Sequence, residues 1–177
     1  MDTNEIIKHI SIKKGDITRE MSDAIVNAAN TSLLGGGGVD GAIHKAAGPE
    51  LLEECRKFGG CRTGEARITS GYNLHAKFVI HTPGPVYKDG KHKESEELRN
   101  SYRNSMLLVK ENNLKSVSFP AISTGVYRYP KNEAAEIAVS TVINFMRLEK
   151  YIVDVSFVLF DNDNYEIYKT TLEGLKK

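Results

Sequence analysis

Val26-Asn27-Ala28-Ala29-Asn30, followed three residues later by Leu34-Gly35-Gly36-Gly37-Gly38-Val39-Asp40-Gly41, is the stretch from which the rest of the chain is read. Ala24 to Ala28 is a short, continuous apolar run of the kind that suits a strand buried on both faces. Behind the glycines, Gly41 to Phe58 places Ile43, Ala46, Ala47, Leu51 and Cys55 on one helical stripe. Between strand and helix, glycines without side chains let backbone N–H groups turn toward an anion, and the helix start adds its partial positive charge. A diphosphate is the natural guest of such a turn.

The alternation continues outward in both directions. Ile6 to Ile12, Ala66 to Thr69, Phe78 to His81, Val117 to Pro120 and Val153 to Phe160 read as strands. Glu94 to Asn112 carries Leu98, Tyr102, Met106 and Val109 at helical spacing, and Asn132 to Glu149 carries Ala134, Ala138, Val142 and Phe145 behind Pro130. A last helix starts near Asp163, with Glu166 completing a capping box, and presents Tyr165, Tyr168, Leu172 and Leu175. Lys88 to Ser95 reads as an exposed loop. Strands alternating with helices through short connections predict an α/β fold with a central sheet covered on both faces, in one domain over residues 1–177.

Composition narrows the partners. Lys and Arg number 24 against 23 Asp and Glu, with no long basic block, so a phosphate-neutralising face for nucleic acid is not expected. No run approaches the ~18 apolar residues that span a bilayer. The start, Met1 to Glu5, lacks the basic and apolar halves of a signal peptide, and the expected location is cytoplasmic. Cys55 and Cys61 stand six apart, neither a paired-ligand metal spacing nor a disulfide framework. They are assigned no chemistry.

In open α/β sheets, ligands sit beyond the carboxyl ends of the strands, and two further segments follow predicted strands. Phe119-Pro120-Ala121-Ile122-Ser123-Thr124-Gly125-Val126-Tyr127 supplies hydroxyls and free amides for phosphate oxygens, with Tyr127 available to stack on a sugar or base. Gly15-Asp16-Ile17-Thr18 offers a carboxylate and a neighbouring amide suited to the amino group and ring nitrogen of adenine. Phe160-Asp161, at the end of the last strand, offers an aromatic face to the same base. Gly36-x-Gly38-x-x-Gly41 also matches the dinucleotide fingerprint. Asp40 would point a carboxylate at the pyrophosphate, however, which ranks an NAD-binding oxidoreductase domain behind the other readings.

These motifs, together with Thr63-Gly64-Glu65-Ala66 and Val79-Ile80-His81-Thr82-Pro83-Gly84-Pro85, resemble the macrodomain family. The similarity is closest to its MacroD-type branch, which removes ADP-ribosyl groups and deacetylates O-acetyl-ADP-ribose. The resemblance implies a three-layer α/β/α fold with a central mixed sheet and no metal or other cofactor. It implies Asp16 on the adenine amino group beside the Ile17 amide. Ala29, Gly36, Gly37, Gly38 and Val39, and on the other side Ser123, Thr124, Gly125, Val126 and Tyr127, would surround the diphosphate. Asn30 would hold the terminal ribose, Asp40 would orient or deprotonate a water, and Phe160 and Asp161 would complete the adenine end. The implied partners are ADP-ribose, its esters and mono-ADP-ribosylated proteins; the alternative on this fold is a reader that binds without turnover. His44, one helical turn past Asp40, and His81 are read as hydrogen-bonding neighbours. One position departs from the branch: Arg128 stands where it usually has glycine.

Overall fold

The structure is a computed structural model describing residues 1–176. A short helix α1 (Thr3–Ile7) precedes β1 (Ile10–Lys14), a 3-10 turn (Ile17–Arg19) and β2 (Ala24–Ala29). Helices α2 (Gly38–Ala47) and α3 (Pro49–Arg56) lead to β3 (Arg67–Ser70) and β4 (Phe78–Pro83). The chain ends with α4 (Glu94–Glu111), β5 (Ser116–Phe119), α5 (Lys131–Glu149), β6 (Asp154–Leu159) and α6 (Asn162–Glu173).

The six strands form one mixed sheet in the order β1-β6-β5-β2-β4-β3. Only β3 runs antiparallel, against β4. Alternate residues of β2 serve two cores: Ala24 and Val26 pack with α4, α5 and α6, while Ile25 and Ala29 pack with α2 and α3. Hence β2 has no solvent face and reads as an apolar run interrupted only by Asn27. The three-layer architecture expected from the alternation is what the chain adopts.

Where β2 and β5 meet, their ladder is short. They pair only at Ala24–Val117 and Ile25–Ser118, whereas β2 and β4 pair at six successive positions through Ala29–Pro83. Beyond Ile25 the two strands no longer pair, and their exits lead to opposite helix layers, β2 toward α2 and β5 toward α5. This is the topological switch point at which doubly wound sheets open a crevice.

Three expectations need correction. The run Ile6 to Ile12 is a strand only from Ile10, because Ile6 and Ile7 belong to α1 and pack under the sheet. Gly41 to Phe58 is two helices: Gly48 sits at φ 91°, ends α2 and is followed by Pro49 as the first residue of α3. Ala46, read on the buried stripe, is exposed. The last helix is capped by Asp161, whose carboxylate accepts from the Asn164 amide at 2.7 Å; Asp163 instead pairs with Lys131, and Leu175 lies beyond the helix, partly exposed.

Lys88 to Lys93 is exposed, as expected for a loop, but its backbone folds around the buried carboxylate of Glu94, the first residue of α4. Glu94 is only 2% exposed. Its Oε2 accepts from the amides of Lys88, Asp89 and Gly90 at 2.9, 3.1 and 2.9 Å, and its Oε1 from the His92 amide at 2.5 Å. Burial alone would raise its pKa, but the four amides outweigh it and hold the carboxyl down at about 2. Because this lies below the unfolded value, the stabilisation is present above about pH 4.5 and is lost as pH falls through about 2. Melting curves for wild type and Glu94→Gln should therefore differ at pH 7 and converge in acid; parallel curves down to pH ~2 would refute the assignment.

Candidate active site

The carboxyl ends of β1, β6, β5, β2 and β4 share one edge of the sheet, and the polar segments read from the sequence all emerge there. The two glycine- and hydroxyl-rich turns thus start from neighbouring strands, one on each side of the switch point between β2 and β5.

On the β2 side, α2 begins at Gly38, three residues earlier than the sequence reading, with Gly37 in the N-cap position and no side chain capping it. The first-turn amides of α2 therefore have no side-chain acceptor, which suits an anionic guest. The spacing that mimics a dinucleotide fingerprint has a local cause. A Cβ on Gly41 would meet the Gly36 carbonyl oxygen at 2.5 Å, so the turn folds back on the helix only if residue 41 has no side chain.

Asn30 and Asp40 converge beside Gly36. A Cβ placed there would lie 3.1 Å from Asp40 Oδ2 and 3.3 Å from Asn30 Nδ2. Asn30 Nδ2 donates to the Gly35 carbonyl at 2.8 Å, and Asn30 Oδ1 accepts from the Ser32 amide and hydroxyl. That leaves Asn30 one amide hydrogen for another acceptor.

Asp40 is 5% exposed. Its Oδ1 accepts from Asn27 Nδ2 at 2.8 Å and lies 3.4 Å from His44 Nε2. Burial raises its pKa, against the opposing pull of Asn27 and His44. The result is a carboxylate more basic than one in water, held by its rear oxygen with Oδ2 beside Gly36.

Behind it stands a support that the sequence reading passed over. Asn27 pairs across the ladder with His81, and Asn27 Nδ2 lies 3.1 Å from His81 Nδ1. A donor facing Nδ1 leaves the imidazole proton on Nε2, directed at Thr69 Oγ1 2.9 Å away. Burial first, then the nearby His44, lowers His81 to about 3, so it is neutral across the physiological range. Asn27 is a polar residue inside an otherwise apolar run, and that was the available signal.

His44, Cys55 and His81 place their ligand-type atoms within 4.8 Å of one another. Here His81 Nε2 faces Thr69 Oγ1, and burial, with Glu54 and Asp40 nearby, pushes the Cys55 thiol up to about 11. His81 matches its expected role as a hydrogen-bonding neighbour.

On the β5 side, Ser123 adopts φ 68° and its buried hydroxyl has no partner among the described residues. Thr124 is half-buried, Gly125 and Val126 are exposed, and Tyr127 is half-buried. The turn is closed by Tyr129 N–H donating to the Ser123 carbonyl at 2.8 Å, and it is tied to the Glu94-organised loop by Tyr87 N–H donating to the Tyr127 carbonyl at 2.9 Å. Arg128 has φ 60°, which explains why glycine suits this position; its side chain is exposed.

At the far end, Asp16 Oδ1 caps the 3-10 turn by accepting from the Thr18 amide and hydroxyl at 3.0 and 2.7 Å. Asp16 remains exposed, and Ile17 is buried beneath it. Phe160, just past the end of β6, is 85% exposed. Both Asp161 oxygens are engaged by Asn164, so its side chain serves α6 rather than the crevice.

A Macro domain family model matches residues 26–138. The chain belongs to the macrodomain family. Curated relatives of this macrodomain include a protein named O-acetyl-ADP-ribose deacetylase from Escherichia fergusonii, 53% identical over 92% of this chain and 94% of that one. Another is ADP-ribose glycohydrolase MACROD2 from Xenopus laevis, 50% identical over 96% of this chain; the match spans 41% of that protein's length. Among solved structures, the Trypanosoma brucei macrodomain in complex with ADP-ribose superposes with a TM-score of 0.88 at 45% identity, covering 96% of this chain and 70% of that one. The MacroD-type resemblance read from the motifs therefore holds. No helix among the described residues is long and apolar enough to cross a membrane.

Proposed function

We propose that this macrodomain binds ADP-ribose and hydrolyses its esters, both those on acidic side chains of proteins and O-acetyl-ADP-ribose. The observation that carries the reading is the buried Asp40 carboxylate, backed by Asn27 and placed with Asn30 at the mouth of a crevice between two anion-suited turns. The relatives named for this chemistry support it.

In this reading the ligand lies along the carboxyl edge. Adenine meets Asp16, the Ile17 amide and the exposed ring of Phe160. The diphosphate lies between Gly36–Val39, reached past Ala29, and Ser123–Tyr127. The terminal ribose reaches Asn30, whose spare amide hydrogen meets a hydroxyl. Anchoring the remote adenine and diphosphate holds the reacting end near one water. Asp40 Oδ2 orients that water and accepts its proton, with the substrate diphosphate assisting. The water oxygen bonds to the ester carbonyl or the ribose carbon, the ester C–O bond breaks, and ADP-ribose and a carboxylate leave. The raised pKa of Asp40 brings the base nearer the working pH, so kcat should climb as pH rises through it.

The test pairs turnover with binding. Wild type should release glutamate-linked ADP-ribose and acetate from O-acetyl-ADP-ribose, and calorimetry should favour ADP-ribose over NAD. Binding without turnover would make the protein a reader, and preference for NAD would restore the oxidoreductase reading.

Asp16 offers a separate check on the adenine end. Asp16→Ala should weaken ADP-ribose binding by about 1–3 kcal/mol. Asp16→Asn retains a capping oxygen but presents an N–H₂ where the adenine amino group needs an acceptor, and should weaken binding comparably without lowering Tm. An unchanged Kd in both variants would remove Asp16 from the site.

A further inference from the structure

We propose that an open cavity of about 560 Å³ lined by Thr31, Gly60, Arg62, Thr63, Glu65 and Arg67 receives the group esterified to the terminal ribose. Its occupant is an acidic polypeptide segment carrying the modified glutamate or aspartate. The inference rests on the proposed function and adds where the polypeptide part of that substrate is held and which side chain selects it.

Position is the first argument. Along the edge the strands run β1, β6, β5, β2, β4, β3, and in the proposed reading the ligand runs from Asp16, after β1, to Asn30, after β2. The next place in line lies beyond β4 and β3. Because β3 is antiparallel, its first residue, Arg67, stands at this same edge, opposite His81 of β4. The cavity wall is fastened to the proposed ribose site. Cys61 N–H donates at 2.8 Å to the carbonyl of Thr31, the residue after Asn30, and Gly64 N–H donates at 2.8 Å to the carbonyl of Pro83 at the end of β4.

Size and charge identify the occupant. The volume falls in the range of about 300–1,000 Å³ that accommodates whole small molecules, far more than an acetyl group fills. Two arginines and one glutamate line it. Arg67 is held by the Ala66 carbonyl at 2.9 Å and Glu65 at 3.2 Å, whereas the exposed Arg62 side chain pairs with no carboxylate among the described residues. Ester hydrolysis releases a carboxylate here, and an unpaired guanidinium is the side chain that fits a carboxylate in a two-pronged contact. Acidic neighbours of the modified residue would be drawn by the same surplus charge.

The experiment compares two substrates on wild type, Arg62→Glu and Arg62→Ala: a peptide with one ADP-ribosylated glutamate among acidic residues, and O-acetyl-ADP-ribose. Arg62→Glu should lose about tenfold in kcat/KM on the peptide, chiefly through KM, with a smaller loss for Arg62→Ala and a gap that narrows as salt rises. O-Acetyl-ADP-ribose turnover and ADP-ribose Kd should stay within about twofold, since the charge is removed outside the ADP-ribose path. Equal losses on both substrates, or none on the peptide, would overturn the subsite while leaving the proposed function standing. A wild type that turns over neither substrate would overturn both.

Discussion

Asp40→Asn should reduce turnover of O-acetyl-ADP-ribose and of glutamate-linked ADP-ribose by about 10²–10⁴-fold, the usual contribution of one positioned acid–base group. The substitution keeps the volume and the oxygen that Asn27 contacts, so ADP-ribose affinity should change little. The loss then falls on kcat. Stability supplies a second readout. The folded-state pKa of Asp40 is raised, chiefly by burial, so ionisation opposes folding once pH exceeds the unfolded value. Stability from this group is greatest below that value and declines as pH rises through the raised one. Removing the charge should leave Tm at pH 7 no lower than in wild type. Full activity in the variant would take Asp40 out of the chemistry; lost activity accompanied by lost ADP-ribose binding would make it a binding residue.

Gly84→Ala should be a strongly damaging single-methyl change near the site. Gly84 is buried just after β4, and a Cβ there would overlap Ser123 Oγ and Ile122 Cγ2. Ser123 already holds φ 68°, so it has little conformational freedom with which to yield. Overpacking of this kind costs about 1–3 kcal/mol, a Tm fall of roughly 2–4 °C per kcal/mol for a chain of this size. Because the displaced residues begin the Ser123–Tyr127 turn, ADP-ribose affinity should fall together with Tm. Gly15→Ala, where a Cβ meets nothing within 4 Å, is the control expected to leave Tm unchanged. A neutral Gly84→Ala would mean that the two loops are not packed as described.

What the sequence conveys about this fold follows the range of the forces involved. Apolar runs and helical stripes are local, so the strands and most helices are visible in it, as are the glycine turns that follow β2 and β5. Five-residue α1 is shorter than two helical turns and leaves no period to detect. The break at Gly48-Pro49 was present as a C-terminal glycine followed by an N-terminal proline, and the stripe that continues across it masks it. Glu94 is a different case. Nothing in a polar, charged stretch marks which carboxylate will be buried by amides that precede it, and a solvated loop would have the same composition. Asn27 and His81 form their contact only once β2 and β4 pair in register, information that no local window holds. Asn30, Asp40 and the two turns could be named in advance, but the hydrogen bonds aiming Asp40 could not.

The two-position ladder between β2 and β5 makes that junction the seam of the molecule, joined mainly at one end like a hinge. A guest gripping both lips would work as a cross-brace, tying one half of the sandwich to the other. The free protein should then breathe along this line, and occupancy should quiet backbone amides well beyond those it touches.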